Sequence, residues 1–400
     1  MSPLPSRFAA TAADHARLGP AVARLGELLT HGDPLADDAV AALERDRAWA
    51  LFERALARGI DDVAGAPGPL RALFAALDHR PAWLAKDALD RGGELLLRAG
   101  WFGGLALGVS LVHGYASPAG NKPLAFSGQL HQQTPRRLLE TSRFVEATCV
   151  PGGLLRDAPG FAITARVRLM HAKVRRLLRA SGRWDAAAWG EPINQHDMAA
   201  TALLFSSAVI DTLTKLGMRF DAGEVDRYMQ LWRYSSWLLG VDAEVLPASL
   251  PDALRLTEVI AATEGPPDDD SRALTRAFFA ATKAPERASD AERRRAERLV
   301  RLGQGLMRGL LGEPLAKGLG VPPNELRHAL VLVRAAVSRV ESTREALPQF
   351  AREALDRKAI AAGRTYWTAI TGVGLSPLAF APPDALLGAP IAAAVAHTAA

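Results

Sequence analysis

Arg166-Val167-Arg168-Leu169-Met170-His171-Ala172-Lys173-Val174-Arg175-Arg176 reads as part of one amphipathic helix. Over Phe161–Ala180 the residues Ile163, Val167, Met170, Val174, Leu177 and Leu178 recur at intervals of three and four, so they share one apolar stripe. Arg168, Arg175 and Arg179 fall on the adjacent face, and His171 sits at the border between the two. The same period runs outward along most of the chain, while strand-like alternation is scarce. The sequence therefore predicts an all-α protein, with many helices in a single large domain.

The expected helices cover Leu35–Ala57, Pro81–Arg91, Glu94–Val112, Thr134–Val150, Phe161–Ala180, Gln195–Leu216, Ala222–Leu239, Pro251–Glu264, Asp270–Ala281, Asp290–Leu311, Pro323–Val340 and Leu347–Ala362. Gly265-Pro266-Pro267-Asp268-Asp269-Asp270 is the clearest linker. It divides the chain into an N-terminal helical segment (1–93), a central helical core (94–264), C-terminal helices packing on that core (270–365) and an apolar tail rich in Pro and Gly (366–400). No repeat of fixed period is visible, which argues against a solenoid.

Composition narrows the function classes. The 400 residues are 49% hydrophobic and 23% charged, enough to bury a sizeable core. The net charge of +5 is scattered over helices without a lysine block, so no nucleic-acid partner is expected. The single cysteine, Cys149, excludes an internal disulfide framework and a cysteine-rich metal site. The first residues, Met1 to Phe8, show neither a basic region nor an apolar one, and a cytoplasmic location is expected. Ala99 to Val112, the longest apolar segment, is too short for an ordinary membrane span. No integral span is expected, while peripheral membrane contact and the oligomeric state stay open.

Two histidines carry the chemistry. His171 is one; His196 follows in Gly190-Glu191-Pro192-Ile193-Asn194-Gln195-His196-Asp197-Met198. With Asn194 as N-cap, His196 lies in a first helical turn, where the partial positive charge favours a neutral ring. Two imidazoles on neighbouring helices can bracket one metal, and without cysteines or a carboxylate triad beside them haem iron fits better than zinc. Arg168 and Arg175 could meet anionic groups such as haem propionates. Thr201 could point its hydroxyl into a pocket, or back-bond to its own helix. The plainer alternatives are a core-edge His171 bonded to a carbonyl and a capping His196. His113 is a third candidate ligand. No Gly-x-Ser-x-Gly elbow or Walker loop is present.

Arg137-Leu138-Leu139-Glu140-Thr141-Ser142-Arg143-Phe144-Val145, the Arg166–Arg176 run, and Pro192-Ile193-Asn194-Gln195 with Thr201 together resemble the latex-clearing protein and mycophenolate-pathway oxygenase family. The resemblance covers roughly Glu94 to Leu246. It implies an all-helical fold with a globin-like core, haem b, and dioxygen-dependent cleavage of carbon–carbon double bonds in isoprenoid chains. It further implies that Arg168 lies near the haem, with Arg168 and Thr201 as the catalytic candidates, and that His196 is the proximal iron ligand. His171 stands where the latex-clearing branch can carry a distal lysine. Asp157 is the one carboxylate in the loop where that branch has a base. The expected partners are an apolar small-molecule alkene and dioxygen. Two other readings remain: a haem protein with both axial positions filled, for electron transfer or sensing, and a cofactor-free helical interaction protein.

Overall fold

The computed structural model describes residues 3–126, 130–281 and 289–372, with side chains for all of these except 130–132. Every regular element among the described residues is helical. One cluster of buried apolar side chains runs from Ala36 to Trp367, so it draws on the N-terminal, central and C-terminal stretches alike. The expected tail begins inside the Gln349–Thr371 helix, and 373–400 lie outside the described residues.

Most expected helices are present, but three are broken. Leu35–Ala57 divides into Pro34–Arg45 and Trp49–Arg58. Arg47 between them takes φ 49°, and Ala48 N–H bonds back to Leu43 O at 2.9 Å. That is a Schellman stop with arginine at the position glycine usually fills, so the residue type gave no warning. Glu94–Val112 divides at Gly100, φ 51°, into Glu94–Ala99 and Trp101–Gly114. The stretch Lys86–Ala99 meets Trp101–Gly114 at 95°. Gln195–Leu216 divides at Ser206, whose φ −107° and ψ −94° end one helix and start the next. The helix expected from Pro81 begins only at Lys86.

No single described helix is long and apolar enough to cross a membrane. The sharp arm at Gly100 instead turns Glu94–Ala99 into the core, where Arg98 is buried. Arg98 donates to both oxygens of Glu341 at 3.2 Å and to Arg219 O at 2.7 Å, which ties it to the Ala329–Glu345 helix.

The Pro159–Ala180 helix is pinned through its arginine face. Arg168 forks onto both Asp33 oxygens, at 2.7 and 3.0 Å, with both side chains buried. One helical stride further, Arg175 bonds Asp37 at 2.8 Å. Asp33 caps the Pro34–Arg45 helix and Asp37 lies in its first turn, so both pairs join the same two helices. The opposite stripe of Pro159–Ala180 is left to face inward, toward Trp101–Gly114, Leu130–Cys149, Gln195–Phe205 and Ala222–Leu238.

Close backbone packing holds the C-terminal helix on this frame. A Cβ on Gly363 would stand 1.7 Å from Leu97 O, a carbonyl that cannot move without its own helix. Gly363→Ala is expected to destabilise the protein by about 3 kcal/mol through overpacking. Gly303→Ala, in the helix Asp290–Leu311 with open space around it, should instead stabilise by about 0.5–1 kcal/mol. Urea titration of both variants checks this, and a neutral Gly363→Ala would show that the two helices do not cross there.

Candidate functional site

The five helices line most of a partly open cavity of about 1250 Å³. This exceeds the roughly 300–1000 Å³ of an ordinary small-molecule pocket. Its walls follow from helical periodicity. Pro159, Ile163, Arg166, Val167, Met170, His171 and Val174 line it from one helix, at steps of three and four. Thr134, Arg137, Leu138, Thr141 and Phe144 do so from Leu130–Cys149. Asp197, Met198, Thr201, Ala202 and Phe205 form the third stripe. Three rings make one end rigid: Phe205 stacks on Trp232 at 5.2 Å, and Phe144 meets each of them edge-on at 5.8 Å.

His171 is the histidine that lines this cavity among the described residues. Its ring is half-buried, and the part left accessible opens into the cavity. Nδ1 is completely buried and has no hydrogen-bond partner. The expected plain alternative, a histidine bonded to a carbonyl, is therefore not what the chain builds. Burial pushes the imidazole pKa down to about 4, reinforced by the Arg175 charge and opposed by Asp33. The ring is neutral at ordinary pH and keeps a lone pair available.

His196 is not brought to the same cavity. Its Nε2 lies 2.8 Å from Thr263 Oγ1, and Nδ1 lies 3.3 Å from Asp197 Oδ1. The ring is 1% exposed and points toward the Leu250–Thr263 helix. The expectation that His196 is the proximal ligand is corrected on this ground: both nitrogens are engaged elsewhere. The reason is angular. Positions 197, 198, 201, 202 and 205 share the cavity face, and residue 196 stands about 100° behind the edge of that stripe. Asn194 does cap this helix, accepting from Asp197 N–H at 2.9 Å.

The other candidates divide the same way. Arg168 and Arg175, expected beside anionic groups of a cofactor, are occupied by Asp33 and Asp37 and do not line the cavity. Thr201 does line it, with its hydroxyl donated back to Asp197 O at 2.8 Å. Asp157 is exposed and His113 is turned elsewhere, so neither is on the wall.

Three groups carry weight that the motif reading passed over. Glu146 lines the cavity and accepts hydrogen bonds from Thr368 at 2.9 Å and from Thr371. Arg137 lines it with a buried Nη1 that has no partner. Both lie on Leu130–Cys149, whose stripe at 134, 137, 138, 141 and 144 is visible in the sequence. The third is Arg7, from the chain's beginning. His196, Asp197 and Glu264 offer ligand atoms within 4.8 Å of one another, a grouping that could hold a metal ion. Arg7 already supplies the cation there, forked onto Asp197 at 2.8 and 2.9 Å and bonded to Glu264 at 2.6 Å. Burial pushes the Asp197 carboxyl up, but Arg7 and His196 outweigh it and hold it well below the usual range.

Among the described residues, the site is thus an all-helical wall around one large, mostly apolar cavity with one imidazole on it. Residues 94–341 match the family described as "ER-bound oxygenase mpaB/B'/Rubber oxygenase, catalytic domain", and the chain belongs to this family. It is similar to the rubber oxygenase of Streptomyces sp. (strain K30), 26% identical over 204 residues, or 50% of this chain. The match spans 48% of that relative, so the chain aligns with about half its length. The fold is similar to that in the structure of latex clearing protein LCP in the closed state, with a TM-score of 0.61 and 21% identity over 84% of this chain and 91% of that one.

The His171 pKa gives a stability test in the cofactor-free protein. The unfolded histidine takes up a proton near 6.5, whereas the folded one resists until about 4. Stability from this group is thus whole above about pH 6.5 and is lost as the pH falls toward 4. His171→Leu should remove that loss, up to about 3 kcal/mol. Urea denaturation at pH 7 and pH 5 of both proteins measures it, and identical pH dependence would contradict the assigned environment.

Proposed function

We propose that this chain is a haem b-dependent oxygenase that uses dioxygen to cleave a carbon–carbon double bond in an apolar, isoprenoid-like molecule. The observation that carries the reading is the half-buried His171 ring opening onto the wall of a cavity of about 1250 Å³, with its buried Nδ1 left without a partner. Buried ring nitrogens are rarely left unsatisfied, and an imidazole kept neutral with a free lone pair is a good iron ligand. Family membership and the likeness to a rubber oxygenase support the reaction class.

The residues present fit haem. His171 would hold the iron, and the Phe144, Phe205 and Trp232 rings would supply apolar wall for the group. Bound there, haem supplies the iron that activates dioxygen, with its reactivity tuned by the protein ligand. The chain's own residues do the rest. Val167, Met170, Leu138 and Ala202 present an apolar wall that holds an alkene and keeps water out. Thr201 offers the lone pairs of a hydroxyl whose proton is committed to Asp197 O. Glu146 is held in place from the Gln349–Thr371 helix and offers a carboxylate at the chamber wall. Arg168, proposed from the sequence as catalytic, acts instead as a positioning residue that fixes the His171 helix against Asp33.

The reading with two histidine ligands loses its second residue, because His196 is bonded to Thr263. Absorption spectra of the purified protein with haemin, before and after dithionite and carbon monoxide, test the proposal. We expect a Soret band that shifts with carbon monoxide. His171→Ala should weaken haemin binding by more than about 100-fold, beyond what loss of an outer-shell partner costs, while His196→Ala keeps the wild-type spectrum. No Soret band after reconstitution, or an unchanged spectrum in His171→Ala, sinks it.

A further inference from the structure

The C-terminal helices combine surplus positive charge with exposed hydrocarbon. Between Asp290 and Gly372 stand fifteen Lys and Arg against nine Asp and Glu, so this stretch holds the whole positive excess of a chain whose net charge is +5. The four most exposed large apolar side chains of the described residues, Val331, Leu332, Val340 and Phe350, lie there too, at 65–75%.

Three of the four are on the Ala329–Glu345 helix, and the helical period sets them together. Leu330, Val333 and Val337 pack against the core, and Glu341 is buried on Arg98. Val331, Leu332, Ala335, Ala336 and Val340 occupy the complementary positions and are exposed. A helix that is apolar all round is ordinarily enclosed on all sides, and this one is enclosed on one. Arg339 falls within the exposed stripe, four residues after Ala335, and Arg334 borders it. Neither forms an ion pair with a described residue. From Leu326 to Val340 there is no Asp or Glu. The Asp290–Leu311 helix packs alongside, with Gly305 against Leu326 and Gly309 against Leu330. Its first half is exposed and carries Arg294, Arg295, Arg298 and Arg301.

We propose that the outward face of Ala329–Glu345 docks on an anionic lipid bilayer. The apolar side chains would enter the boundary between headgroups and acyl chains. The arginines would lay their stems along that boundary and keep their guanidinium groups at the phosphates. Two other occupants fit less of the surface. A second copy across a twofold axis would set an arginine face against itself, with no acid to answer it. A nucleic acid would engage the arginines and leave the hydrocarbon centre of the face without a match. The inference does not rest on the function proposed above.

The test sediments the full chain with vesicles of phosphatidylcholine alone and with vesicles that also contain phosphatidylglycerol, at low and high salt. Binding is expected to the anionic vesicles, and salt should weaken it. Leu332→Glu combined with Val340→Glu should weaken it at least about ten-fold, because two apolar side chains no longer enter the boundary. Arg339→Gln should weaken it about five-fold, the share of one basic residue. All three positions are exposed, so these variants should melt with wild type; Leu332→Ser replaces the double variant if that one melts lower. No binding to anionic vesicles, or equal binding by wild type and the apolar-face variant, overturns the proposal. So does a wild-type oligomer in light scattering that this variant splits, which would assign the face to a second copy. Tighter binding to a DNA duplex than to the vesicles overturns it as well.

Discussion

The buried fork of Arg168 on Asp33 is the contact on which the chamber depends. A void of this size in a helical protein collapses unless the helices around it are fixed from outside. The Pro159–Ala180 helix is fixed through two arginines set seven residues apart, and the matching acids, Asp33 and Asp37, sit on one turn of a second helix. Two points of attachment define both rotation and register, so the stripe carrying His171 has one orientation. Removing either member of such a buried pair strands its partner, at a cost of about 3–5 kcal/mol. Arg175 adds a bond to Ile193 O at 2.8 Å, which links the frame to the residue preceding the Asn194 cap.

Much of the fold was legible because helices are written locally. The stripes of Phe161–Ala180, the Asn194 cap and the Ser289 capping box follow from residues three and four apart. The breaks at Arg47, Gly100 and Ser206 interrupt stretches that stay apolar-periodic on both sides, so periodicity runs through them. Only Gly100 is a residue type that signals a stop.

The site was legible in part for the same reason. His171 and Thr201 belong to such stripes, and both line the chamber. His196 shares the Asn194–Asp197 motif in sequence but not the helical face that lines the chamber. Its neighbours 197 and 198 point inward, and it does not. The roles of Arg168 and Arg175 were beyond the sequence in a stricter sense. Their partners lie well over a hundred residues away, and an arginine on a helix face looks the same whether it will meet a protein acid or a ligand's. Arg7 is the extreme case, reaching Glu264 across most of the chain and filling a cluster that otherwise resembles a metal site.

The left-handed turn at Gly100 has a meaning beyond packing. Run straight, Glu94–Gly114 would form one helix about 30 Å long, the thickness of a bilayer's hydrocarbon core. The segment is apolar enough to pass with its neighbour as a bent candidate span. What separates a core element from a would-be span is therefore one backbone torsion together with Arg98, whose charge is matched by Glu341 in the folded chain and would be unmatched in lipid. In the folded chain the bend at Gly100 and the Arg98–Glu341 pair make this apolar stretch part of the core.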